Sequence, residues 1–182
     1  MKKHMSRKEK IIIILLLIFA GLILCLVEIF AKQPYERALD AIGANKIRRQ
    51  KTYSWDGVNT HGFFGDGSSY FLFRLSGKKQ MEEVLEGEGW HSLPVDERII
   101  DETENVLKNL ENDISETDRQ NILTKLNQIN EGGWFFYDKA DIESLKNMDL
   151  DWTFHSGRSL ANYIIAVYDS DAGMIYYFDS DR

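Results

Sequence analysis

The apolar run IIIILLLIFAGLILCLV, residues 11–27, limits this 182-residue chain more than any other feature, because so long a run has no place on the outside of a water-soluble fold. At about 1.5 Å per residue it makes roughly 26 Å of helix, and extending it to Ala31 reaches the thickness of a hydrocarbon core. A transmembrane helix over residues 11–31 is therefore expected, preceded by a basic leader over residues 1–10. A secretory signal has a shorter apolar stretch and small residues before its cut, whereas here the outer position of Ile29-Phe30-Ala31 is a bulky Ile. An uncleaved anchor follows from that difference. Cys25 comes after Leu22-Ile23-Leu24, not after the small residues of a lipoprotein signal, and reads as a lipid-facing side chain. Glu28 reads as a hydrated residue marking the outer end of the helix.

Lys and Arg density sets the orientation. Lys2, Lys3, Arg7, Lys8 and Lys10 crowd the leader, while only Lys32 and Arg37 lie close on the far side. The N-terminus is expected in the cytoplasm and the remaining 150 or so residues outside the cell membrane. That length suits one domain with its own core. From Lys32 onward 17 basic residues face 27 acidic ones, a formal charge of −10, and so acidic a domain lacks the basic patch that nucleic acid requires. No cysteine follows Cys25, which excludes disulfides and Cys-type zinc sites from the domain.

The period changes along the chain. Residues 32–51 read as a helical stalk, with Pro34 in the first turn and Ala38, Leu39 and Ile42 on one face. Residues 52–182 read as the globular domain. Ser69 to Ser76 is an aromatic, apolar segment between Gly67 and Gly77, as in a buried strand, and Lys78 to Leu85 a short helix. Ile99, Ile100, Thr103, Val106, Leu107 and Leu110 keep helical spacing between Asp96 and about Asn112, and Ile122, Leu123, Leu126 and Ile129 repeat it. Trp134 to Tyr137, Asn162 to Tyr168 and Met174 to Phe178 are strand-like, the last two joined by a hairpin at Ser170-Asp171-Ala172-Gly173. The predicted fold class is α+β: an N-terminal transmembrane helix, then one globular domain with an antiparallel sheet and packed helices.

The densest local signal is Trp55 to Tyr70, WDGVNTHGFFGDGSSY. Within it Asn59-Thr60-His61-Gly62-Phe63-Phe64-Gly65-Asp66-Gly67 resembles a D-x-H-G-G-F-H-G-D-G segment found in a family of small uncharacterised membrane-anchored proteins of Gram-positive bacteria, with Asn59 and Phe64 in place of the usual Asp and His. The closing strands, Gly133 to Asp138, Asn162 to Asp169 and Tyr176 to Phe178, are similar to the end of the same proteins. The resemblance implies a bacterial, membrane-anchored domain; it transfers no catalytic residue.

Read physically, Gly62, Gly65 and Gly67 free the backbone for a turn that Asp66 closes with its carboxylate. The competing reading pairs His61 with Asp56 or Asp66 as a base and its orienting carboxylate, in a membrane-anchored hydrolase or metal-dependent enzyme that also draws on His91. His61, His91 and His155 are too scattered to form a recognisable ligand pair, and Ser156 beside His155 lacks the G-x-S-x-G context. Asp169-Ser170-Asp171-Ala172-Gly173 looks like a calcium loop but lacks the bidentate Glu at the twelfth position, so a hairpin turn is expected. The nine carboxylates between Asp96 and Asp118, opposed only by Arg98 and Lys108, read as a solvated helix face, and Trp90, Trp134 and Trp152 as core. No catalytic, metal or cofactor site is assigned. The expected partners are the lipid bilayer, through residues 11–31, and a protein or other component of the cell envelope, with no nucleic acid.

Overall fold

Runs rich in aromatic and apolar side chains build a six-stranded antiparallel sheet in the computed structural model, which describes residues 13–23, 32–61, 66–77, 79–139 and 162–181. The strands are β1 (Tyr53–Asn59), β2 (Gly67–Leu75), β3 (Trp90–Ser92), β4 (Gly132–Asp138), β5 (Tyr163–Asp169) and β6 (Met174–Asp181), in the order β1-β2-β6-β5-β4-β3. The C-terminal β6 thus lies inside the sheet, between β2 and β5, with Tyr70 opposite Phe178 and Ile165 opposite Phe178 on its other side. Asp169 Oδ1 accepts from Ala172 N at 2.9 Å to close the β5–β6 turn, where Gly173 takes φ +65°. The expected hairpin is therefore present.

Tyr70, Trp134, Phe136, Tyr163, Ile165, Val167, Tyr176 and Phe178 share one face and are buried in a single cluster with two helices, α5 (Glu97–Asn109) and α6 (Glu116–Leu126). Each helix starts on a side-chain cap: Asp96 accepts from Arg98 N at 2.9 Å and Ser115 from Asp118 N at 3.1 Å, satisfying amides that a helix start leaves open. Ile99, Thr103, Val106 and Leu107 make the buried stripe of α5, Leu110 at its C-cap is buried with them, and the Thr103 hydroxyl donates to Ile99 O. The opposite face of the sheet, including Phe71, Phe73, Ile164, Tyr168, Ile175 and Tyr177, is also buried. So are Leu39 of α2 (Pro34–Ala41), Ile47 of α3 (Asn45–Gln50) and Met81 and Val84 of α4 (Lys79–Leu85). Trp90 Nε1 donates to Ile42 O at 3.1 Å, and Lys46 pairs with Glu83 across α3 and α4.

The structure corrects the stalk expected over residues 32–51. The chain divides into one unit through Arg37 and another from Ala38 onward, and Ala38, Leu39, Ile42, Ala44 and Ile47 all belong to the core of the second. Gly43, at φ +78°, ends α2 and lets α3 turn away. These five apolar residues need a partner surface, which a solvated stalk does not offer.

In the first unit residues 13–23 form a helix, α1, and every residue in it is exposed. Among the described residues no helix is long and apolar enough to cross a membrane. Residues 11–12 and 24–31, which complete the expected span, lie outside the described residues, as do the leader, Gly62, Gly65, Trp152, His155 and Ser156.

Candidate functional site

The end of the sheet where β1 finishes, β2 starts and β6 finishes gathers most of the polar chemistry. The hairpin mouth is clamped first. Thr60 N and Oγ1 both donate to Ser68 O at 2.9 Å, Ser68 N donates back to Thr60 Oγ1, and Ser69 Oγ donates to Asn59 Oδ1 at 2.7 Å. Gly67 runs so close beneath this clamp that a Cβ there would lie 2.7 Å from His61 Cα and N, and its φ is +150°. Only glycine fits that approach. His61 is thereby pinned at the end of β6, with Nδ1 3.5 Å from Asp181 Oδ2.

The carboxylate beside His61 is thus Asp181, in place of the Asp56 or Asp66 proposed from sequence. Asp56 lies opposite Leu72, on the face covered by α6. Asp66 is exposed and borders a shallow hollow with Thr60, Ser68, Asn109 and Asp181. His91 does not join them: it lies in β3, three strands from β6 and about 14 Å away by strand spacing. Its ring stacks on Trp134 at 4.3 Å, and burial depresses its pKa.

One ligand atom each from His61, Asp179 and Asp181 lies within 4.8 Å of the others, a spacing that a divalent cation could bridge. Lys139, the residue after β4, already pairs with both carboxylates. Its Nζ lies 2.5 Å from Asp179 Oδ1 and 2.9 and 2.8 Å from the two oxygens of Asp181. Tyr177 adds a hydrogen bond from its hydroxyl to Asp179 Oδ2 at 3.2 Å, and burial followed by the Asp179 charge raises that phenol's pKa well above its usual value. Two carboxylates held by one ammonium and one phenol form a stabilising lock on β4, β6 and the β1–β2 mouth. A base or a metal ligand would first have to be freed from it.

Sequence reasoning missed Asp179, Asp181 and Lys139. Lys139 stands 40 and 42 residues from its partners, and no short motif links them. Comparison with protein-family models, curated proteins and solved structures finds no match.

Proposed function

We propose that this chain is a single-pass membrane protein, N-terminus cytoplasmic, whose α+β domain lies outside the cell membrane and serves as a binding or interaction module for a protein or other component of the envelope. The exposed apolar helix α1 carries the reading. Ile14, Leu15, Leu16, Leu17, Phe19 and Leu22 are each 56–67% exposed, and at about 25 cal/mol per Å² such a surface is far more stable in lipid than in water. The run around it, residues 11–27, supplies the length, and the denser basic leader supplies the orientation. The likeness of Asn59 to Gly67 to the Gram-positive family motif supports the same placement. A binding role is favoured over catalysis because the carboxylates beside His61 are committed to Lys139.

Protease added to intact protoplasts should digest the domain and leave a membrane fragment holding residues 1–31. Survival of the domain, or a mature N-terminus beyond residue 25, overturns the topology. One observation favours a second reading, a membrane-anchored hydrolase or metal-dependent enzyme using His61 and Asp66: the clustering of His61 with Asp179 and Asp181. Stoichiometric zinc or manganese in the purified chain would raise it above the binding module.

A further inference from the structure

A second polar constellation lies on the other face, where α6 leans over the β1 edge of the sheet. It is a half-open hollow of about 340 Å³, near the lower end of ligand-site volumes, with Val58, Leu72 and Ile122 giving it an apolar lining. Tyr70 also lines it. That side chain is only 9% exposed and its ring packs on Phe178 at 5.3 Å, yet its hydroxyl has no hydrogen-bond partner among the described residues. Burial pushes the Tyr70 pKa upward, with Tyr176 and Asp56 adding to the rise, so the phenol stays protonated and able to donate or accept. The hydroxyl is not among the fully buried polar atoms, so it faces the open hollow, where a ligand can reach it.

Two opposite charges flank it from different walls. Asp56 projects from β1 and Lys125 from α6, and neither makes an ion pair or a hydrogen bond among the described residues. Asp118, beside them, accepts from the Ser115 hydroxyl and keeps its charge, so the rim carries two carboxylates and one ammonium. The contrast with the His61 end is direct: there Lys139 closes on its carboxylates, whereas here acid and base stand apart across an apolar floor. A ligand that completes this hollow needs a positive group for Asp56, a negative group for Lys125, a hydrogen-bonding atom for Tyr70 and an apolar body between them.

We propose that this hollow binds a small zwitterion with an apolar side chain, of the α-amino acid class, its ammonium on Asp56, its carboxylate on Lys125 and the Tyr70 hydroxyl bonded beneath. The assignment rests on the binding half of the function proposed above, not on the membrane half.

The full chain in detergent micelles is titrated with L-leucine while amide shifts are followed by transverse-relaxation-optimised NMR. Saturable shifts around Asp56, Tyr70 and Lys125 are expected at roughly millimolar leucine. N-acetyl-L-leucine, which lacks the ammonium, and isoamylamine, which lacks the carboxylate, should each bind at least about 10-fold more weakly, the usual loss for one charged hydrogen bond. Asp56→Asn and Lys125→Gln should weaken leucine binding about 10-fold, and Tyr70→Phe about 3-fold or more, with melting temperatures of the two rim variants unchanged. No saturable shift up to about 50 mM leucine, equal binding of either capped analogue, or rim variants that bind as the parent does would overturn the proposal. The titration runs on solubilised protein, so its failure leaves the membrane assignment standing, and failure of the protoplast assay leaves the titration unaffected.

Discussion

Replacing Gly67 by Ala tests the close approach on which the His61 end is built. The added methyl would lie 2.7 Å from His61 Cα and N and 2.8 Å from Thr60 O, all backbone atoms that no rotamer change can move aside. Holding an L-residue near φ +150° costs about 1–3 kcal/mol, and overpacking adds a comparable amount before the hairpin mouth relaxes. A net loss of about 2–4 kcal/mol is expected, a large share of a domain stability of roughly 5–15 kcal/mol. For a domain of this size that lowers the melting temperature by roughly 5–15 °C. Gly77→Ala is the matched control, because a Cβ there meets nothing within 4 Å, and it should stay within about 0.5 kcal/mol of the parent. His61→Ala should cost under about 1 kcal/mol, since its contact with Asp181 is partly exposed. The assay is thermal unfolding of the full chain in detergent, followed by near-ultraviolet circular dichroism. A Gly67→Ala melting temperature within 1 °C of the Gly77→Ala value would refute the steric argument, and a His61→Ala loss as large as that of Gly67→Ala would show an essential imidazole.

Lys139→Met should destabilise by about 2–4 kcal/mol, read from denaturant midpoints, because Asp179 and Asp181 are left facing each other without their cation, and Asp181→Asn in the same chain should restore part of the loss. EDTA should leave the melting temperature of the full chain unchanged, since Lys139 supplies the positive charge that a metal would otherwise bring; a fall of several degrees, reversed by zinc, would contradict that. Stability should hold between pH 7 and 9 and fall as pH rises above 10. The Tyr177 phenol is raised in the folded state, so the unfolded chain loses its proton first and its contribution is present below pH 10 and lost above it; Tyr177→Phe should flatten the fall in a urea titration repeated across pH.

Elements with a full period were legible in the sequence. Ile99, Thr103, Val106 and Leu107 specify α5 by spacing alone, and the Tyr, Phe and Ile of β2, β5 and β6 specify strands by composition. β1 was not legible. Its sequence YSWDGVN belongs to an edge strand, half exposed on both faces, and its Gly57 reads as a turn residue although it is there because a Cβ would meet Tyr70 O at 2.1 Å. β3, at three residues, is too short to repeat a pattern. The stalk was misread because Leu39 and Ile42 announce a buried face without saying what buries it. For His61 the sequence offers Asp56 or Asp66 as its carboxylate, and the structure places Asp181 beside it instead. Asp181 stands 120 positions away, and only the placing of β6 beside β2 brings the two together.

The two polar ends of the domain divide structure from function by how far their charges are compensated. At the His61 end Asp179 and Asp181 share Lys139, and the Tyr177 hydroxyl occupies a further lone pair. Such a set gains its energy on folding and has little left for a ligand, whose arrival would have to displace an ammonium already at contact distance. At the α6 hollow Asp56, Lys125 and the Tyr70 hydroxyl remain unsatisfied by the described protein, around an apolar floor that folding leaves partly open. Asp56 and Lys125 are exposed, so a ligand there exchanges their water for its own charges over that apolar floor. The motif that drew the eye in the sequence therefore reads as architecture, and the less conspicuous hollow on the other face as the place where a ligand has most to gain.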